Sequence, residues 1–198
     1  MFDPDDEKPA KRKRKPPRAV TSALIREQAL SYLDRFGTTT HKLKRHLLTK
    51  NRRAISYHDQ DPEMVETLIE EEVNKLEQAG VLDDQLYADS KARSMARQGK
   101  SIRQINGKLF SLGLSDDQKN HAVQELEEKE GYSDRIGAAK YIRKKRFGPY
   151  RRHKNKEDQR NKELMSLMRN GFNYQLAEEL IDLETTEEIE DIIYGEDK

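Results

Sequence analysis

Apolar residues recur along this chain at intervals of three and four, the spacing that places them on one face of an α-helix. Ile25, Ala29, Leu33 and Phe36 form a first such stripe, which Gly37 ends. Thr40 opens a second helix carrying Leu43, Leu47 and Leu48. Asp61-Pro62 has the order of an N-cap followed by proline at the first helical position, where its missing N–H costs nothing. The helix that follows carries Val65, Leu68, Ile69, Val73 and Leu76 and stops at Gly80. Residues 51–61 read as a polar connection without apolar period. No window shows the period-two alternation of β-branched residues that marks a strand, so no sheet is predicted.

The pattern then repeats. Asp83 caps a fourth helix, with Leu82 placed to staple against Tyr87. Ser101-Ile-Arg-Gln104 and Ser115-Asp-Asp-Gln118 both have capping-box spacing. Between them lie Ile102, Ile105, Leu109 and Leu112, and Gly113 ends that helix. Ser133 opens a helix with Ile136, Ala139 and Ile142; beyond a basic link come Leu164, Leu167 and Met168, then Gly171-Phe172-Asn173, Leu176 and Leu180. An offset of 62 places Gly37 on Gly99, Leu43 on Ile105 and Leu47 on Leu109; one of 58 places Leu109 on Leu167, Gly113 on Gly171 and Ser115 on Asn173. The reading is an all-α chain of three tandem three-helix repeats, at 19–80, 81–131 and 132–183. Each unit is too small to hold a good core alone, so neighbours must stack, which gives an elongated body. A disordered basic arm is expected over 1–18, where four prolines and a cation run oppose helix, and an acidic tail over 184–198. The last helix is expected to stop near Leu183, with Ile189, Ile192 and Ile193 docking weakly at most.

Composition sharpens this picture. Charged residues are 38% of the chain and hydrophobic ones 33%, and Leu, Ile, Val and Phe make up only 40 of 198. A net charge of +1 removes the self-repulsion that disorder would need, so a helical protein with a thin core fits better. The absence of cysteine excludes disulfides and thiolate metal sites and suits a reducing compartment, so a cytoplasmic location is expected. No apolar run reaches the ~18 residues that would span a membrane.

Little of the chemistry points to catalysis. Gly99-Lys100-Ser101 has the ending of a phosphate-binding loop, but Ser94 stands where that loop needs a glycine, so a helix end, short link and N-cap fits better. Asp83-Asp84 reads as capping, since adjacent helical residues do not face each other. The five histidines are scattered, and no serine or lysine sits in a nucleophile motif. Neither an enzyme nor a bound cofactor is expected.

The sharpest local signal is residues 140–162, with eleven cations against Glu157 and Asp158. Candidate contacts for a partner or for DNA are Lys140, Arg143, Lys144, Lys145, Arg146, Arg151, Arg152, Lys154 and Lys156, with Tyr141, Phe147 and Tyr150 interleaved. Two readings stand side by side: a solvated helix end with a mobile loop, or a surface for nucleic-acid phosphate or an acidic protein face. The Gly113-Leu114-Ser115 turn suggests a helix-turn-helix, but Asp116 and Asp117 would repel phosphate where a groove reader needs cations.

The order of these motifs resembles the RecX family of recombinase regulators. The resemblance is carried by Gly80-Val-Leu-Asp-Asp84 with Tyr87-Ala88, Gly99, the Ile105–Leu109 helix and Gly113-Leu114-Ser115. It is supported by Ala29-Leu30, Tyr32-Leu33 and Arg35 at the start and by Gly171-Phe172-Asn173 at the end, and it covers residues 22–183. Ser101 departs from a second glycine often present in that family's central link, and Arg146-Phe-Gly-Pro-Tyr-Arg-Arg152 is unusually basic. The resemblance implies a curved, elongated body, a monomer, that binds the RecA recombinase filament on single-stranded DNA. It also implies inhibition of that filament's ATP hydrolysis, strand exchange and growth. The competing reading is a nucleic-acid-binding protein acting directly on DNA through the 140–162 patch.

Overall fold

A computed structural model describes residues 15–151 and 157–195. Those residues form α1 (Ser22–Leu33), α2 (Thr40–Tyr57), α3 (Pro62–Gln78), α4 (Asp84–Arg97), α5 (Ile102–Ser111), α6 (Asp116–Glu130), α7 (Asp134–Lys145), a 3-10 turn at Gly148–Tyr150, α8 (Glu157–Arg169), α9 (Tyr174–Ile181) and α10 (Thr186–Tyr194), with no strand among them. Local chemistry sets most of the starts. Thr21, Thr39, Asp61, Asp83, Ser101, Ser115, Ser133, Asn173 and Thr185 each accept a first-turn backbone N–H. Each such cap is worth ~1 kcal/mol.

The helices bury three separate cores, one per unit. The first holds Ile25, Leu43, Leu47, Val65, Ile69 and Val73. The second holds Ile105, Leu109, Leu112 and Leu126 with the small stripe Ala88, Ala92 and Ala96, which lets α4 pack closely on α6. The third holds Tyr141, Ile142, Leu164, Leu167, Phe172, Leu180 and Ile189.

Several elements differ from the sequence reading. α1 ends at Leu33, so Phe36 lies beyond the helix, more than half exposed, with its ring 5.2 Å from that of Tyr32. The stretch from 51 to 57 is not a connection: α2 continues through it because Asn51 is buried, its amide donating to Gln28 Oε1 (2.7 Å) and accepting from Gln28 Nε2 (3.1 Å), and Ala54 is buried. A paired amide can occupy a core position that no apolar pattern reveals. Leu82 joins the first core while Tyr87 packs on the second, so the expected staple is divided between units. Nor does the chain end its helices near Leu183. Thr185 and Glu188 make a capping box, and α10 docks on α7 with Ile189 fully buried. Residues 15–18 of the expected arm are described: Pro17 presents its carbonyl 2.8 Å from the His58 ring and Arg18 pairs with Glu27. Residues 1–14 lie outside the described residues.

The same joint links the units twice. Thr39, the cap of α2, donates its hydroxyl to the Leu112 carbonyl at the end of α5 (2.6 Å). Asp84, buried at the start of α4, accepts the Thr40 N–H and hydroxyl at 2.8 and 2.7 Å. One unit later, Ser101 donates to the Asn170 carbonyl (2.7 Å) and Asp134 accepts the Ile102 N–H (2.7 Å). The reciprocal arm of the capping box expected from Gln104 is not made: the Gln104 amide instead donates to Asn170 Oδ1 (3.2 Å). A glycine with positive φ closes each joint: Gly113 (φ 79°) lies against His41, and Gly171 (φ 89°) against Ser101 and Arg103. A Cβ on Gly113 would stand 2.3 Å from His41 Cγ, and one on Gly171 2.5 Å from Ser101 Oγ. The C-terminus of α8 therefore abuts the N-terminus of α5, and the C-terminus of α5 abuts the N-terminus of α2, so the middle helices run end to end.

Candidate partner-binding surface

α7 closes with Arg143, Lys144 and Lys145 in its last turn, where cations complement the carbonyl end of a helix. Arg146 takes the left-handed conformation (φ 58°) as C-cap, and the Gly148-Pro149-Tyr150 turn then reverses the chain. This local geometry sorts the candidate cations into two groups with different physical roles.

The first group is internal. Arg143 reaches Glu190 (2.7 Å) and the Tyr194 hydroxyl (2.9 Å), tying α7 to α10. Tyr150 donates to the same Glu190, and this hydroxyl, with Arg143 after it, holds the Glu190 carboxyl below its ordinary range. Arg151 makes a forked pair with Glu163, Nε at 2.9 and 2.8 Å and Nη2 at 2.6 Å. Glu163 is 3% exposed and also accepts the Gly148 N–H at 3.1 Å. Arg160 pairs with Asp182 and with Glu178 (3.2 Å). Lys140 is half-buried with its ammonium 5.4 Å from the Tyr132 ring centre, and burial, then Arg143, lowers its pKa. These cations hold the third unit together.

The second group is free for a partner. Lys144, Lys145 and Arg146 are exposed, and among the described residues no carboxylate lies within 4 Å of them. Arg152, Lys154 and Lys156 lie outside the described residues. Tyr141, Phe147 and Tyr150 all pack on the third core, so the interleaved aromatics are not a stacking platform. Among its described residues the 140–162 run is thus a small ridge at the end of α7 plus a set of structural ties.

A second cationic surface escaped the sequence reading. α2 carries Lys42, Lys44, Arg45, Lys50, Arg52 and Arg53 and no carboxylate in 18 residues, whereas α3 and α6 carry six acids each. Taking residues 51–61 as a link hid it, because Arg52 and Arg53 lie beyond Asn51. Among the described residues no group of three or more His, Cys, Asp or Glu is placed to hold a metal ion. No helix is long and apolar enough to cross a membrane.

No family model matches the chain. It is 33% identical over 180 residues to the regulatory protein RecX of Myxococcus xanthus (strain DK1622), covering 90% of this chain and 94% of that one. It is also 33% identical over 168 residues to the regulatory protein RecX of Agrobacterium fabrum (strain C58 / ATCC 33970), covering 85% and 86%. The crystal structure of RecX from Lactobacillus salivarius superposes with a TM-score of 0.60 at 22% identity over 85% of this chain and 96% of that one. A second crystal structure of regulatory protein RecX gives 0.58 at 21% identity, over 82% and 72%. At these identities the two structures speak for the all-helical fold, and the two relatives, matched along nearly their whole length, for descent: the chain belongs to the RecX family of regulatory proteins.

Proposed function

We propose that this protein is a non-catalytic regulator that binds the RecA recombinase filament on single-stranded DNA and restrains its ATP hydrolysis, strand exchange and growth. The observation that carries the reading is the doubled joint. Thr39–Leu112 with Asp84–Thr40, and Ser101–Asn170 with Asp134–Ile102, set successive units in the same relation. A body that repeats itself suits a partner that repeats itself, because each unit can meet successive protomers with equivalent faces. Family membership supplies the regulatory role, and the exposed Lys144-Lys145-Arg146 ridge is the candidate contact for an acidic surface of the filament.

The test is titration of the protein into preassembled recombinase filaments while DNA-dependent ATP hydrolysis is followed. Inhibition is expected at concentrations comparable to the recombinase. Lys144→Ala/Lys145→Ala/Arg146→Ala should weaken it without moving the thermal midpoint, because solvated cations contribute little to stability. Unchanged hydrolysis at saturating protein would overturn the reading, and unchanged inhibition by the triple variant would remove the ridge from the interface.

A further inference from the structure

Lys42, Arg45, Thr49, Arg52 and Ser56 follow one another along α2 at spacings of three and four, on the side opposite the buried Leu43, Leu47, Asn51 and Ala54. The fourteen steps of ~1.5 Å from Lys42 to Ser56 make this row about 21 Å long, the length of about six nucleotides at ~3.4 Å per step of one strand. Among the described residues the only carboxylate within 4 Å of an α2 cation is Glu70, 3.9 Å from Lys44, which points toward α3. A row of five unpaired cations, Arg53 and Lys50 included, attracts any polyanion.

Aromatic rings narrow the choice. Two shallow depressions run side by side along this helix and share Thr49 and Lys50. One, of about 460 Å³, is floored by Tyr32 stacked on His46 (ring centres 4.3 Å apart) with Phe36 beside them and Arg35 at the rim. The other, of about 500 Å³, is bounded by Arg52, Arg53 and Tyr57, whose ring is 60% exposed. Exposed and half-exposed aromatic rings at intervals along a cation row offer faces on which the bases of a strand can stack. Shallow depressions reach only bases that are not already paired, so a single strand is favoured over a duplex.

The geometry points to a single-stranded nucleic-acid site on the outer face of α2, where Lys42, Arg45, Arg52 and Arg53 neutralise phosphates while Tyr57 and the Tyr32–His46–Phe36 group receive bases. The strand has a continuation, because the end-to-end joint brings the C-terminus of α5 to the N-terminus of α2. Lys42 there has its pKa lowered by burial first, then by Lys108, Arg45 and Lys91, a gathering of like charges that an anion would relieve. Burial, then Lys50, likewise lowers the pKa of His46, which favours the uncharged form of the ring that stacks on Tyr32. The site belongs to the first unit and is independent of the α7 ridge and of the filament-regulating reading.

The experiment is fluorescence anisotropy of a labelled oligothymidylate titrated with the full chain, without recombinase, from about 50 to about 200 mM salt. The parent should bind, with log affinity falling linearly in log salt. Arg52→Ala/Arg53→Ala should flatten that slope by about 1.4, at ~0.7 per phosphate released, and Arg52→Lys/Arg53→Lys should restore it. Tyr57→Ala should weaken binding about fivefold or more at every salt while leaving the slope unchanged. Matching thermal midpoints show that the variants are folded. No binding by the parent at low salt overturns the site, as does a double-alanine variant with the parental slope. Tighter binding of polyglutamate than of oligothymidylate would make the face a protein dock and overturn it as well. Filament ATP hydrolysis, measured on the same proteins, separates the two readings: a parent that binds oligothymidylate but does not inhibit overturns the filament reading alone, and a parent that inhibits but does not bind oligothymidylate overturns this site alone.

Discussion

Arg151→Ala should destabilise the protein far more than loss of a surface cation. The Glu163 carboxylate is 3% exposed and accepts three bonds from the Arg151 guanidinium and one from the Gly148 N–H. Removing the arginine strands that charge with one donor where it had a fork. Breaking a fully buried pair by deleting one partner costs about 3–5 kcal/mol. The Arg151 side chain retains 21% exposure, so water can partly replace it, and a loss of about 2–4 kcal/mol follows. That is a large share of the ~5–15 kcal/mol by which such proteins are stable. Replacing both partners, as Arg151→Met/Glu163→Met, removes the stranded charge and should recover most of the loss, since apolar substitutes for buried pairs are often neutral or better. Urea unfolding followed by circular dichroism at neutral pH measures both variants. A single-variant loss below ~1 kcal/mol would refute the reasoning, and so would a double variant as unstable as the single one.

The joints and the third unit offer two further tests. Gly113→Ala should destabilise clearly more than Gly131→Ala: both carry positive φ, but only at Gly113 would the new Cβ meet a neighbour, His41, at 2.3 Å. Backbone strain accounts for about 1–2 kcal/mol at each and overpacking adds about 1–3 at the joint; equal losses by thermal melting would mean the joint yields freely. Acidification should loosen α9 and α10. The Arg160 bond holds Asp182 below its ordinary pKa, and the Tyr150 hydroxyl, with Arg143 after it, does the same for Glu190. Depressed folded values mean that this stability is present above the unfolded values of about 4 and is lost as pH falls through the folded ones. Glu190→Gln should therefore flatten the fall in thermal midpoint on acidification, and a parental pH profile in that variant would count against the link.

What sequence alone determines here is what neighbouring residues decide between themselves. Ser115 with Gln118, Asp61 before Pro62 and Asn173 after Gly171 are local features within one turn, so helix starts and the all-helical fold were legible from spacing. Stripes such as Ile105–Leu109–Leu112 were equally legible, because a helix has one buried face wherever it lies. Tertiary structure decided the rest. Nothing local distinguishes Arg151, paired with Glu163 12 residues away, from exposed Lys144, and Arg143 finds Glu190 47 residues along the chain. Asn51 is polar by composition yet buried, because Gln28 from another helix completes its hydrogen bonds. α10 is rich in acids, and it docks because Ile189 enters the third core while Tyr150 and Arg143 stand where Glu190 needs partners. Whether a charge is a surface or a strut depends on what folding brings beside it, and that is a property of the packed units rather than of the run of residues.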